Sequence, residues 1–226
     1  MALLHQAELR PSKLELLTGW APLQPWFAGD SGVELTSAGA YRFDDPDGEV
    51  GVETLLVRAG DGPVMQMPLT YRSVPLADAD DWLIGTLRHS VLGTRWVYDG
   101  TGDPVYLLTV MTTIIAGGSQ AELYLEIEGE RVKRESTAKV SGSGIDGASL
   151  PGLPSVHDLS VRNDRQDTVV ETGDWTVTVP RVLSAHQNDA DQNDVSLYDV
   201  DPAGGVLTGT WADQAERRPL VFVAPR

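Results

Sequence analysis

The chain has 226 residues, of which 41% are hydrophobic, and its 17 basic and 33 acidic side chains give a formal net charge of −16. This length and composition suit one large β-rich domain or two smaller ones with a buried core. The acidic excess argues against nucleic acid and against an anionic membrane as partners, because both attract clustered cations.

Two further absences in the sequence limit the classes of protein it can encode. No cysteine occurs, which excludes disulfide bonds and thiolate metal sites. No stretch approaches the roughly 20 apolar residues of a membrane helix, and the opening MALLHQAELRPSK does not resemble a secretion signal. We therefore expect a cytoplasmic protein.

The first elements predicted along the chain are a strand and a short helix. The strand covers Leu3–Leu9, and Ser12 stands three residues before Glu15, which is the spacing of a capping box. This pattern predicts a helix over Lys13–Thr18 that ends at Gly19.

An aromatic segment follows at residues 20–30, where two prolines interrupt the aromatic side chains. Trp20, Trp26 and Phe27 either fill the core or form a binding face. The core is the favoured interpretation, because large aromatic side chains supply much of a core's buried area.

The centre of the chain, Tyr41–Tyr98, has the pattern of successive β-strands joined by tight turns. Gly51–Arg58 and Val64–Arg72 are rich in residues that favour strands, and turn signals bound them. A second helix is predicted to begin at Asp103 and Pro104 and to pack on a sheet through its apolar stripe.

The remaining sequence predicts further strands. Glu122–Glu128 and Arg131–Val140 form a predicted hairpin that turns at Gly129. Thr168–Glu171 and Trp175–Val179 form another hairpin, and two strands follow near the end of the chain at 206–211 and 220–223. Residues 186–201 hold five aspartates and depart from a calcium-binding EF-hand loop at two essential positions, so we expect a solvated acidic loop.

These elements predict an α+β protein that consists mainly of antiparallel β-sheet with two packing helices. A break in composition, rich in Gly, Ser and Pro, suggests a division into residues 1–140, a linker or long loop at 141–155, and a β-rich extension at 156–226.

No catalytic constellation stands out in the sequence. Glycine patterns for binding nucleotide phosphates are absent, and the four histidines lack the spacing of metal ligands. Carboxylates are too abundant for a glycosidase pair to be chosen. We therefore predict a protein that is not an enzyme, with no catalytic residue, no cofactor and no metal.

A resemblance narrows this interpretation. Glu15–Gly29, Glu53–Arg72 and Trp96–Pro104 resemble three parts of the maltokinase N-terminal cap domain: its opening helix with a Gln-x-Trp-Phe-x-Gly pattern, its sheet, and its Tyr-Asp turn before an Asp-Pro helix start. The resemblance implies a free-standing cap-like protein linked to α-glucan or trehalose metabolism, with an accessory or regulatory role.

The C-terminal part resembles a fragment of a kinase. Asn163–Leu183 is similar to the first hairpin of a kinase amino-terminal lobe, in which the returning strand carries the lysine that binds ATP. No lysine occurs after Lys139 and the catalytic motifs are missing, so this resemblance implies a vestigial lobe without phosphoryl transfer.

Two alternative functions stay open. The first is a carbohydrate-binding module in which Trp20, Trp26, Phe27 or Trp96 stacks on sugar rings, provided that these side chains face solvent. The second is a glucan-modifying enzyme of the branching type, which needs two converging carboxylates. The expected partner is another protein or an α-glucan, and a homodimer contact through an edge strand or the aromatic segment is left open.

Overall fold

Antiparallel strands dominate the structure, a computed structural model that describes residues 2–4, 7–30, 32–127, 130–183 and 203–226. The two α-helices are α1 (Lys13–Trp20) and α2 (Pro104–Ile115). The strands of the described residues are β1 (Ala2–Leu4), β2 (Leu9–Arg10), β3 (Leu35–Phe43), β4 (Gly51–Ala59), β5 (Val64–Arg72), β6 (Leu83–His89), β7 (Gly93–Asp99), β8 (Leu123–Ile127), β9 (Glu130–Arg134), β10 (Ala138–Gly142), β11 (Ser160–Asp164), β12 (Asp167–Thr172), β13 (Trp175–Pro180), β14 (Val182–Leu183), β15 (Gly205–Trp211) and β16 (Gln214–Pro225). The α+β, strand-rich class predicted from the sequence is confirmed.

The first sheet has the strand order β2-β6-β7-β5-β4-β3. All its neighbouring strands are antiparallel, and short turns join β3 to β4, β4 to β5 and β6 to β7. The short strand β14 extends this sheet by pairing with the beginning of β5. The predicted series of strands across Tyr41–Tyr98 is confirmed, and β5 has the predicted limits.

Helix α1 covers part of one face of the first sheet. The Oγ of Ser12 accepts a hydrogen bond from the Glu15 N–H, and a Glu15 carboxylate oxygen accepts one from the Ser12 N–H, so the predicted capping box is present. The helix continues through Gly19 to Trp20, one residue beyond the predicted stop. Leu17 is buried under it, in a core with Val57, Met67 and other residues of that sheet face.

The second sheet has the order β10-β15-β16-β13-β12-β11. Helix α2 begins as predicted, with Asp103 as its N-cap and Pro104 at its first position. One hydrophobic cluster contains buried residues of α2, of the second sheet and of the first sheet's face opposite α1. The two sheets and α2 therefore share a core.

A third sheet is small and has the order β1-β8-β9, with β1 parallel to β8. It corrects the predicted strand at Arg131–Val140, because the chain forms β9, leaves the strand conformation at Glu135, and resumes it in β10. β9 pairs with β8, whereas β10 pairs with β15 of the second sheet. The predicted turn at Gly129 and the acidic segment at 186–201 lie outside the described residues.

The strands cross the boundary that composition suggests near residue 140. β10 spans that position and lies at the edge of a sheet whose other strands all come from residues 160–225. Residues 143–155 contain no helix or strand and run as a long loop. The three-part division of the chain stays a prediction. Neither α1 nor α2 combines the length and the apolar composition that crossing a membrane requires.

Candidate binding cleft

The sheet face beneath α1 is only partly covered, because the helix is short. Eight residues of α-helix extend about 12 Å, whereas a nine-residue strand such as β4 extends about 30 Å. The helix covers one end of the face, and its first residue, Lys13, marks where the cover begins. Lys13 also lines a cavity, described below, beside the start of the helix.

Glu53 is a buried residue of β4 on this face of the sheet. Its side chain is only 7% exposed. One of its carboxylate oxygens lies 2.5 Å from the Nζ of Lys13 and accepts a hydrogen bond of 2.8 Å from the Tyr71 hydroxyl. The other oxygen accepts a hydrogen bond of 3.0 Å from the Nε of Arg42. Two cations and a phenol thus surround one buried carboxylate.

Four different elements bring these groups together. Arg42 of β3 and Glu53 of β4 are directly paired across the two strands. Tyr71 comes from β5, the next strand of the sheet, and the Nζ of Lys13 lies 5.3 Å from the centre of its ring. The capping box fixes the start of α1 and with it the position from which Lys13 reaches Glu53.

The charges around Glu53 determine how the cluster titrates. Burial alone would raise the pKa of the Glu53 carboxyl, but the positive charges of Arg42 and Lys13 and the hydrogen bonds from Lys13 and Tyr71 lower it to about 2. Burial, together with the negative charge of Glu53, raises the pKa of the Tyr71 hydroxyl well above its ordinary value. Glu53 is therefore a carboxylate, and Tyr71 a neutral donor, across the physiological pH range.

Lys13, Arg42 and Tyr71 line a cavity of about 920 Å³ that we call the Glu53 cleft, after the buried carboxylate that these three side chains contact. Its volume is within the range typical of sites for small molecules. Strand ends and turns of the first sheet, the segment before α1, and the third sheet form its lining, which consists of Ala7, Leu9, Lys13, Arg42, Phe43, Asp44, Asp45, Gly48, Glu49, Val50, Gly51, Val52, Tyr71, Leu87, His89, Leu92, Arg95, Leu125 and Arg134.

The aromatic residues predicted as a sugar-binding face do not form one platform. Trp26 is only 2% exposed and packs in the core beneath α1. Trp20 meets it edge-on at 5.7 Å between ring centres, with 60° between the ring planes, and Phe27 is partly buried against the same core. Trp96 is paired with Arg72 beside the Tyr71–Val97 pair, so it points to the opposite face of the sheet.

A second buried ion pair lies beneath Trp26. Arg181, which is fully buried, donates to both carboxylate oxygens of Asp99 at 2.9 and 2.7 Å and lies 4.8 Å from the centre of the Trp26 ring. It also donates to Thr168 of β12 at 2.8 Å. Arg181 therefore connects the second sheet to the end of β7 in the first, and its contacts are structural.

Sequence reasoning missed the residues of the Glu53 cleft, although a weak signal was present. Arg42 and Glu53 are charged residues inside strands, and their neighbours along the chain are buried. The two strands are consecutive and joined by a short connection, which makes a direct cross-strand pair plausible. No local pattern indicates that Lys13, Tyr71 or Arg134 comes to the same place. Among the described residues, no three His, Asp or Glu side chains converge as a metal site would require.

The fold and the cleft together define a strand-rich α+β protein with a small-molecule-sized opening on its first sheet. Residues 20–103 match the family model of the maltokinase N-terminal cap domain. This part of the chain is therefore similar to that cap domain, in agreement with the resemblance found in the sequence. The matched segment contains β3 to β7, and it supplies Arg42 and Tyr71 to the cleft lining and the buried Glu53 that both contact. A comparison with curated proteins found no match to the chain.

Proposed function

We propose that the chain is a non-catalytic accessory or regulatory protein that binds a ligand in the Glu53 cleft on a maltokinase cap-like scaffold. Its place would be α-glucan or trehalose metabolism in the cytoplasm, which the similarity of residues 20–103 to the maltokinase cap supports. The fold alone does not carry this assignment, because one fold can host unrelated functions.

The observation that carries the proposal is the state of Glu53. A general acid or base works best with a pKa near the operating pH, whereas the pKa of Glu53 is lowered to about 2 and both of its oxygens are engaged. Such a carboxylate orients Lys13, Arg42 and Tyr71 around a cavity and exchanges no proton near neutral pH. This arrangement supports binding over catalysis.

The C-terminal hairpin enters the proposal as a vestige of a kinase lobe. β12 and β13 form the hairpin predicted from the sequence, and no lysine follows Lys139 anywhere in the chain. A kinase uses such a lysine to hold the nucleotide phosphates. We therefore assign the hairpin the role of covering the shared core, without a role in phosphoryl transfer.

The experiment that tests this proposal combines binding with turnover. Purified full-length protein is titrated calorimetrically with maltose, trehalose, a soluble α-glucan and ATP-Mg²⁺, and each mixture is then assayed for phosphorylated sugar and for new glucan branches. We expect no turnover. Phosphorylation of maltose, or branching above the level of a heat-inactivated sample, would overturn the non-catalytic assignment.

The same titrations address the carbohydrate-binding alternative. Trp26 is buried with Trp20 edge-on against it, and Trp96 lies on the other face of the sheet, so the three rings offer no shared platform for a sugar. Saturable glucan binding that is lost in Trp96→Ala but kept in Tyr71→Phe would nevertheless place a carbohydrate site outside the cleft and favour that alternative.

A further inference from the structure

We propose that the Glu53 cleft binds a small organic anion, a molecule in which a carboxylate, sulfonate or phosphate group is joined to an apolar body. This inference deepens the proposed function and rests on it in one respect, namely that the cleft binds its ligand without transforming it.

The first argument is the balance of charge between Glu53 and the two cations, Lys13 and Arg42, that line the cleft. Lys13 and Arg42 share the single carboxylate of Glu53, so the cluster carries one net positive charge. The cluster is mostly withdrawn from solvent, since the side chains of Lys13 and Arg42 are 24% and 20% exposed. A partly desolvated positive site of this kind favours an incoming anion more strongly than an exposed lysine does.

The second argument is that two more cations line the cleft without a carboxylate partner. Among the residues that the structure describes, the side chain of Arg95 in β7 donates only to the backbone carbonyl of Thr94, and the side chain of Arg134 in β9 has no ion pair or hydrogen bond. Both side chains line the cavity. Guanidinium groups are well suited to carboxylates, sulfonates and phosphates because they can donate two parallel hydrogen bonds.

The acidic residues of the lining are Asp44, Asp45 and Glu49. Asp45 accepts hydrogen bonds from the N–H groups of Asp47, Glu49 and Val50, and so holds the turn between β3 and β4. Asp44 also has a partner within the protein. Glu49 is exposed in the same turn. Among the residues that the structure describes, none of these carboxylates forms an ion pair with Arg95 or Arg134, so both guanidinium groups keep free donors for a ligand.

The third argument is the apolar part of the lining. Buried side chains that border the cavity include Phe43, Val50, Val52, Leu87 and Leu125. An inorganic ion would leave this surface in contact with water, whereas an aromatic or aliphatic body would cover it. The combination of cations and apolar walls selects an anion with a hydrophobic part.

Isothermal titration of the full-length protein with naphthalene-2-sulfonate and with phenyl phosphate tests the inference. We expect one saturable site for each probe, an affinity that falls with added NaCl, and weaker binding of the uncharged 2-phenylethanol. Arg95→Gln and Arg134→Gln should each weaken binding about tenfold, since each removes one charge-assisted hydrogen bond.

The matched control is Arg162→Gln, which removes an exposed arginine of β11 in the second sheet. It should leave the affinities unchanged. Near-UV circular dichroism checks that each variant is folded. Equal affinity in the wild type and the Arg95→Gln/Arg134→Gln double variant, or equal affinity for 2-phenylethanol, would overturn the inference.

The probes also separate this inference from the proposed function. Phosphate released from phenyl phosphate in an Arg95- and Arg134-dependent manner would refute the non-catalytic assignment while supporting the anion site. Absence of binding by folded protein at millimolar probe would refute the anion site and leave the non-catalytic assignment standing.

Discussion

At the scale of single residues, Glu53 shows how a buried position in a β-strand can hold a charged side chain. The carboxylate faces Lys13, Arg42 and Tyr71, and each of these groups compensates part of the cost of removing it from water. Buried ion pairs of this kind destabilise a protein strongly when one partner is removed, because the remaining charge stays buried and unpaired.

Glu53→Gln should change the pH dependence of stability. The pKa of Glu53 in the folded state, about 2, lies below its ordinary value of 4.5, so the stabilisation is fully present above about pH 4.5 and is lost as the pH falls towards 2. The shift corresponds to about 3 kcal/mol. Urea unfolding between pH 7 and pH 2.5 should show a smaller loss of stability in Glu53→Gln than in the wild type.

The control for that measurement is Glu34→Gln, at an exposed carboxylate just before β3. It makes the same chemical change, and its free energy of unfolding should depend on pH as that of the wild type does. If the stability of Glu53→Gln fell with pH as steeply as that of the wild type, the ion-pair account of the Glu53 cluster would be contradicted.

Arg181→Lys should lower the free energy of unfolding by about 3 kcal/mol. A lysine cannot donate to both oxygens of Asp99 and to Thr168 with the geometry of a guanidinium, so the buried carboxylate loses partners. Equilibrium urea unfolding at neutral pH measures the loss. Arg162→Lys, in an exposed pair with Asp164, should be nearly neutral, and equal effects of the two substitutions would contradict a connecting role for Arg181.

At the scale of secondary-structure elements, the end of α2 lies unusually close to β10. A Cβ atom added at Gly142 would lie 2.3 Å from the backbone oxygen of Thr113 and 2.6 Å from the Cα of Ile114. These atoms belong to the helix backbone and cannot move aside as a flexible side chain can. The lack of a side chain at Gly142 therefore allows the end of α2 and the end of β10 to lie this close together.

Gly142→Ala should therefore destabilise the protein by about 2 kcal/mol, as other overpacked positions do. Thermal unfolding followed by circular dichroism gives the change in melting temperature. Gly152→Ala in the long loop is the matched control, because a Cβ there meets no atom within 4 Å. A Gly142→Ala variant as stable as Gly152→Ala would show that α2 and β10 can separate without cost.

Elements with local signals could be predicted from the sequence, and elements without them could not. The limits of β5 follow from turn residues on both sides, and the start of α2 follows from Asp103 and Pro104, which act within one helical turn. β14 has only two residues and is a strand because it pairs with β5, so the local sequence does not predict it. The break between β9 and β10 could not be predicted from the sequence, because it arises from pairing with different sheets. β9 pairs with β8, and β10 pairs with β15.

The cleft could not be predicted from the sequence, because its residues come together through contacts between distant parts of the chain. Arg42 and Glu53 are eleven positions apart and pair through one turn, but Arg134 reaches the cavity only through the placement of the third sheet. The aromatic segment was interpretable in part, since the preference for core burial agrees with the position of Trp26. Arg181, which packs on the Trp26 ring, is far from Trp26 in the chain, so this contact could not be predicted from the sequence.

At the scale of the whole molecule, the shared core makes the two predicted parts dependent on each other. Buried residues of α2 and of the first sheet belong to one cluster with Val177, Leu207 and Val223 of the second sheet. Removing the second sheet would expose that surface to water. The stability of either part alone is therefore expected to be low.

A fragment of residues 1–155 should lack a cooperative unfolding transition and a native near-UV circular dichroism spectrum. The free fragment has neither β14 beside β5 nor a cover for α2. Adding a separately produced fragment of residues 156–226 should restore the cooperative transition and the near-UV spectrum. This restoration would show that the first fragment is able to fold and lacks only its partner. A sharp transition in residues 1–155 alone would support a division near residue 140.

The position of Gln66 also bears on how the chain folds during synthesis. Its side-chain amide donates to the backbone oxygens of Pro180 and Leu220, and the strand after Pro180 closes the edge of β5. When residues 20–103 leave the ribosome, these partners have not yet been translated. The nascent sheet therefore has an open edge at β5 and an unpaired Gln66 amide until the segments that contain Pro180 and Leu220 have been synthesised and can pack on it.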